Sequence, residues 1–145
     1  MTTRSTSLRL ALALTLAGLL LAAPAQAARD IDQIRAVDAD ARISIENLAG
    51  SVEVTGWDRD EVHVTGTLDE KAEELRIEGG GSSLSIEVKY PRRRNLDADG
   101  SHLVISVPRG CDLDIEGVSS DVAVDQVTGK IDVETISGEI VLAGR

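Results

Sequence analysis

Aromatic and sulfur-containing side chains are scarce in this chain of 145 residues, which has one Trp, one Tyr, no Phe and one Cys. A β-sandwich of this size usually buries several rings, so the core must be built from Val, Ile, Leu and Ala, and the narrow interior of stacked short strands suits that composition. The single Cys111 has no intramolecular partner, which excludes a disulfide framework. We expect it to be a small residue at a tight corner rather than a reactive thiol.

Catalytic and ligand-binding motifs are also missing. No glycine-rich phosphate loop stands between a strand and a helix, and no Cys/His pair has the spacing of metal ligands. We interpret His63 and His102 as ordinary surface histidines. The segment Asp97–Ser101 (DADGS) resembles part of a calcium loop but lacks the further oxygen ligands, so a turn is favoured. The sequence therefore predicts no catalytic residue, no metal site and no cofactor.

Basic residues are outnumbered, with 15 Lys and Arg against 25 Asp and Glu and a formal net charge of −10. This acidic field makes nucleic acid and anionic membrane surfaces poor partners. Arg92, Arg93 and Arg94 form the only basic cluster, in a predicted loop, and loop tips commonly display binding groups. They are a candidate anion-binding loop for phosphate or carboxylate groups of envelope glycans or lipids, with a merely solvated loop as the alternative.

The one long apolar run lies at the N-terminus. Arg4 and Arg9 make a positive start, Leu8–Leu21 is almost wholly apolar apart from Arg9, and Ala25-Gln26-Ala27 is a small-x-small cleavage site. About 14 apolar residues are too few for the roughly 20 of a transmembrane helix. The pattern therefore predicts a secretory signal peptide over residues 1–27, with an uncleaved signal anchor as the alternative. Cleavage removes two basic and no acidic residues, which takes the net charge from −10 to −12. We expect an exported protein, periplasmic, on the cell surface or secreted, with no transmembrane segment after cleavage.

Four consecutive nine-residue segments superimpose without a gap: RGCDLDIEG (109–117), VSSDVAVDQ (118–126), VTGKIDVET (127–135) and ISGEIVLAG (136–144). The fifth and seventh residues of each unit are apolar and β-prone, so each unit is one short strand and one corner. Such a unit cannot enclose a core alone, and neighbouring units must stack. The sequence therefore predicts an all-β, single-domain β-solenoid with a nine-residue repeat. The predicted inward core ladder consists of Val122, Val124, Ile131, Val133, Ile140 and Leu142.

The same pattern recurs less regularly upstream. Residues 48–56 (LAGSVEVTG) match the nine-residue unit, and residues 57–66 (WDRDEVHVTG) match it with one insertion. Further strands are predicted at 75–77 and 84–89, on either side of a glycine-rich turn, and at 102–107. We therefore expect one β domain over residues 41–145, preceded by a strand-poor lead-in segment over residues 28–40.

A resemblance to a known family rests on four motifs: Asn47–Val54 (NLAGSVEV), Gly56-Trp57-Asp58, Glu61–Val64 (EVHV) and Ile136–Ile140 (ISGEI). In this order they resemble the bacterial exported "putative adhesin" domain family of unknown function, over residues 41–145. The resemblance implies a right-handed β-helix-like stack of short strands and carries over no catalytic residue. Family members usually continue through further rungs, so the domain is expected to be incomplete at its C-terminus.

Together these features favour a non-enzymatic exported module of the bacterial envelope with an adhesin-like binding or structural role. A β-helix enzyme acting on polysaccharide is one alternative, although the shortage of aromatic residues counts against it, and a fragment of a longer envelope protein is another. The partner stays open between an envelope glycan and a protein. Because the last unit is as regular as its predecessors, we expect residues 139–143 to form an unprotected edge that permits self-association.

Overall fold

The computed structural model describes residues 29–92 and 98–144, where every regular element is a β-strand. The predicted signal peptide lies outside these ranges. Within them, no helix has the length and apolar character needed to cross a membrane. The strands are β1 (Arg29–Trp57), β2 (Glu61–Leu68), β3 (Glu74–Lys89), β4 (Ser101–Pro108), β5 (Asp112–Asp125), β6 (Ile131–Ser137) and β7 (Ile140–Ala143).

The seven strands form one open, mixed sheet, which confirms the all-β class. The long strand β1 is its centre. Residues 42–46 of β1 lie between β3 and β5, and residues 50–55 lie between β4 and β5, all in parallel register. The chain therefore exchanges one neighbour for another at a corner near Gly50. Glycine is required there, because φ is +109° and a Cβ atom would collide with the backbone of Ser101.

The pairing of β5 shows how the nine-residue units are arranged. Leu113 pairs with Ile131 and Val122 pairs with Ile140, so stacked residues are 18 positions apart, which is two units. The prediction that neighbouring units stack is wrong. Units 109–117 and 118–126 follow each other along β5, and alternate units pair laterally. One short strand can line only one side of the interior. Two consecutive units, joined at a corner, therefore make one layer, and the next two units pair beside them.

The expected strand-poor lead-in is also wrong, because β1 begins at Arg29 and its residues 29–36 pair antiparallel with β2. Ile31 is the buried apolar residue of this segment, whereas Asp30 and Asp32 are exposed. Ile31 is the single buried position within residues 29–36, and the next, Val37, lies six residues further on, which is too weak a pattern for periodicity to detect. The strand forms because β2 satisfies its backbone hydrogen bonds.

Strand β3 is the hairpin expected around the glycine-rich turn. It folds back through Gly79, Gly80 and Gly81, all with positive φ, a conformation that glycine adopts readily. The two ends of the hairpin meet, since the backbone N–H of Glu73 donates a hydrogen bond to the carbonyl of Lys89 over 2.7 Å.

The core consists of aliphatic side chains from every strand from β1 to β5. The residues of the predicted ladder are fully part of this core in β5, partly in β6 and not in β7. Val122 and Val124 in β5 are buried, and Ile131 and Val133 in β6 are half-buried against the core. Ile140 and Leu142 stand in the predicted register but are 43% and 53% exposed. They are exposed because no described strand lies beyond β7 to cover them.

Candidate functional site

Exposed apolar side chains concentrate at the β6–β7 edge, by which we mean the free edges of β6 and β7. Among the large hydrophobic residues that are exposed in the described ranges, half fall within residues 136–142: Ile136, Ile140, Val141 and Leu142. Ile136 is 82% exposed. In the described part of the chain, β6 and β7 pair only with β5, so each offers free backbone N–H and C=O groups along its other edge. Such an edge is a template for another strand.

The β6–β7 edge is held in a defined conformation. The backbone N–H of Lys130 donates to Oδ1 of Asp112, and that of Glu139 donates to Oδ1 of Asp121, each over 2.9 Å. These equivalent bonds fix the starts of β6 and β7. Gly138, with φ of +147°, lies between them at a point where a Cβ would collide with the Ser120 backbone. The conformation of both free strand edges is therefore fixed by contacts within the protein.

The predicted anion-binding loop is only partly described. Arg92 is exposed, and Arg93 and Arg94 lie outside the described residues, so their role stays a prediction. The end of this loop is fixed by Asp69, which is 4% exposed. Its Oδ2 accepts a 2.6 Å hydrogen bond from the backbone N–H of Gly100.

The loop fragment that resembles a calcium site begins at Asp97, outside the described residues. Asp99, Gly100 and Ser101 follow it, and Gly100 and Ser101 are tied to Asp69: its N–H donates to the Ser101 hydroxyl over 2.9 Å. Nowhere in residues 29–92 and 98–144 do three His, Cys, Asp or Glu side chains converge as metal ligands would. The observed contacts of Asp69 are those of a structural turn.

The two histidines occupy different surroundings. His63 Nε2 lies 2.7 Å from Oδ1 of Asp32, and its ring stacks on Trp57 at 6.3 Å between centroids. The guanidinium of Arg59 lies 4.9 Å from the Trp57 ring, so the indole is already engaged by two neighbours. Sequence reasoning missed this cluster because Asp32 belongs to the segment expected to lack strands. His102 Nδ1 is 2.9 Å from the Ser51 hydroxyl.

Four glutamates form an acidic row across the sheet: Glu87 of β3, Glu46 of β1, Glu116 of β5 and Glu134 of β6 pair in direct register. Partial burial, followed by the charges of Glu87 and Glu116, raises the pKa of Glu46. Lys89, whose Nζ is 2.5 Å from Glu87, acts in the opposite direction. The row therefore contains repulsion that Lys89 relieves only in part and that works against folding at neutral pH.

Cys111 is fully buried in the aliphatic core. Burial, with a smaller contribution from the charge of Asp112, raises the pKa of the Cys111 thiol to about 12. A thiol in this environment stays protonated and is a poor nucleophile, which agrees with its interpretation as a small packing residue.

Comparisons with known proteins find several solved structures that resemble this chain, among them two bacterial proteins. One is described as a "putative cell adhesion protein" from Clostridium sporogenes, with 9% sequence identity and a TM-score of 0.47; the match covers 79% of this chain and 59% of that protein. The other is a "putative adhesin" from Parabacteroides merdae, with 9% identity and a TM-score of 0.42, covering 79% of this chain and 56% of that protein. The chain thus spans less than two thirds of either protein. No protein-family model matches the chain. No curated protein matches it either.

Proposed function

We propose that this protein is an exported, non-enzymatic binding module of the bacterial envelope, a solenoid-like stack that associates with a second copy of itself through the β6–β7 edge. The observation that carries the proposal is the coincidence, on β6 and β7, of free strand edges with exposed apolar side chains. The signal-peptide pattern of residues 1–27 supports export.

Natural sheets usually protect such an edge with prolines, lysines or inward-pointing charges. Within β6 and β7 there is no proline and no lysine. The side chains in the inward register positions are Ile131, Val133, Ile140 and Leu142, none of them charged. The β6–β7 edge therefore lacks proline, lysine and inward-pointing charges, three of the devices that prevent strand addition.

A second copy is a suitable partner because β6 and β7 repeat the inward apolar positions of β5, the strand on which they already pair. Ile140 and Leu142 repeat, in register, the apolar positions of Val122 and Val124 in β5. A strand with apolar residues at alternate positions can therefore extend the layer. β6 and β7 of another copy both have apolar residues at those positions, and β7 is also apolar at the intervening Val141. The net charge opposes association, and salt at physiological concentration screens this repulsion beyond roughly 8 Å.

Sedimentation velocity over a wide range of protein concentrations tests the proposal. Wild-type protein should shift from monomer to dimer as concentration rises. Ile140→Lys combined with Leu142→Lys should remain monomeric, because it places charges on the inward row of the edge. Val104→Lys is the matched control, since Val104 is 44% exposed on β4, away from the edge, and this variant should still dimerise. A wild-type protein that stays monomeric at every concentration would refute the proposal.

A further inference from the structure

A cleft of about 390 Å³ lies at the other side of the sheet from β6 and β7, between the first residues of β1 and the first half of β3. Its volume is within the range of about 300–1,000 Å³ that is usual for small-molecule sites. The lining residues are Arg29, Asp30, Ile31, Gln33, Arg35, Leu68, Leu75 and Ile77.

One face of β1 supplies the polar wall of the cleft. Alternate residues of a strand point the same way, so Arg29, Gln33 and Arg35 share this face with the buried Ile31. Asp32 belongs to the opposite face, where it pairs with His63. Asp30 is the single carboxylate among the lining residues. Leu68, Leu75 and Ile77 complete the apolar part of the wall.

Arg29 and Arg35 differ from most other cations of this acidic protein. Arg59, Arg76, Lys89, Arg109 and Lys130 each lie within 3.5 Å of a carboxylate. In the described ranges, neither cleft arginine forms such an ion pair. The guanidinium of Arg29 donates to the carbonyls of Ala72 and Glu73, and that of Arg35 donates to the Ile34 carbonyl over 3.0 Å. These neutral acceptors orient the two guanidinium groups without neutralising their charge, and Asp30 is the one carboxylate that lines the cleft with them.

We propose that the cleft binds a single-chain anionic amphiphile, an acyl chain that ends in a carboxylate or a phosphate. Arg35 binds the head group, because among the described residues its guanidinium donates hydrogen bonds only to its own strand, whereas that of Arg29 is hydrogen-bonded to the segment between β2 and β3. A guanidinium holds either anion by charge-assisted hydrogen bonds. Ile31, Leu75 and Ile77 contact the chain.

Other ligand classes fit these walls less well. Sugars are commonly held by aromatic rings, and the lining contains none. A peptide strand would have to pair beside the inward-pointing charges of Arg29 and Arg35, which oppose strand addition. A free phosphate would make no use of the apolar side chains. The amphiphile is the ligand that uses both kinds of lining residue.

Isothermal titration calorimetry with decanoate, laurate and myristate, each below its micellar concentration, tests the proposal. We expect one site, with an affinity that rises about three- to four-fold per added methylene, because each buried methylene contributes a fixed increment of binding free energy. Lauryl phosphate, used in parallel, distinguishes a phosphate head from a carboxylate head. Inorganic phosphate alone and the uncharged glycerol ester of laurate should bind at least tenfold more weakly than laurate.

Variants separate the two halves of the proposed site. Arg35→Gln should weaken laurate binding by about 10- to 100-fold, the usual effect of losing a hydrogen bond to a charged group. Ile77→Ser should flatten the dependence on chain length. Arg59→Gln is the matched control and should bind like wild type. Unfolding temperatures check that each variant is folded. No binding at any chain length, or equal binding by wild type and a folded Arg35→Gln, would overturn the proposal. Neither outcome bears on the β6–β7 edge.

Discussion

Two leucines at inward positions of the repeat, the fifth residue of the first unit and the seventh of the last, differ in how deeply they are buried. Their replacement by alanine tests where the core ends. Leu113 in β5 is 2% exposed, and Leu142 in β7 is 53% exposed. Truncation of a buried leucine leaves a cavity and costs about 2–5 kcal/mol. At Leu142 about half of the side chain is already in water and solvent fills the space, so Leu142→Ala should cost below about 1 kcal/mol.

Urea and thermal unfolding of both variants at low protein concentration provide the measurement. We expect Leu113→Ala to lower the melting temperature by about 10 °C, since 1 kcal/mol corresponds to roughly 4–8 °C in a domain of about this size. Leu142→Ala should lower it by only a few degrees. Equal losses in the monomer would show that β7 is covered and that the described edge is not open. As dimer forms at higher concentration, the cost of Leu142→Ala should grow, because only the folded protein associates.

Two further predictions concern titratable groups. Since Glu46 has a raised pKa in the folded protein, its carboxylate destabilises the fold, and the stability that its protonated form contributes is lost as pH rises through that pKa. Glu46→Gln should therefore raise the melting temperature at pH 7 and lose this advantage as pH falls below 4.5, the usual pKa of a glutamate. Glu53→Gln on the same strand serves as the control. No gain in melting temperature at pH 7 would contradict the reasoning. The Cys111 thiol should react with a disulfide reagent only after unfolding, and rapid labelling of the native protein would show that its site is open.

Alternation of apolar and polar residues was enough to predict most strands but could not reveal which strands are neighbours. Val122 and Val124 in the second unit look the same in sequence as Leu113 and Ile115 in the first. Both pairs point inward, and the pattern is identical whether consecutive units stack or follow each other round a corner. Only the register, in which Leu113 pairs with Ile131, distinguishes the two arrangements. Periodicity therefore predicts burial in β5 and fails on the order of stacking.

The cleft was out of reach for a different reason. Its arginines are six residues apart in a segment with one buried apolar position. Arg92, Arg93 and Arg94 are adjacent, so the sequence alone identifies them as a basic cluster. The opposite wall, at Leu75 and Ile77, is brought in by the β3 hairpin from a distant part of the chain. A cluster of adjacent charges can be recognised from the sequence alone. Two charges on one face of a strand can be recognised as a site only when the strand and its register are known.

The two sides of the sheet differ in the side chains at their inward positions, which are charged at the start of β1 and apolar on β6 and β7. This difference separates the two proposed activities. Arg29 and Arg35 point inward on the first part of β1, so strand addition is disfavoured there and the space remains open to a small amphiphile. At the β6–β7 edge the inward positions, Ile140 and Leu142, are apolar and do not oppose the addition of another strand. Because the two sites share no residue, substitutions at each should act additively. A protein with Arg35→Gln should therefore dimerise normally, and one with Leu142→Lys should bind laurate normally. If either substitution impaired both properties, the sites would be coupled through the sheet and the separation would be wrong.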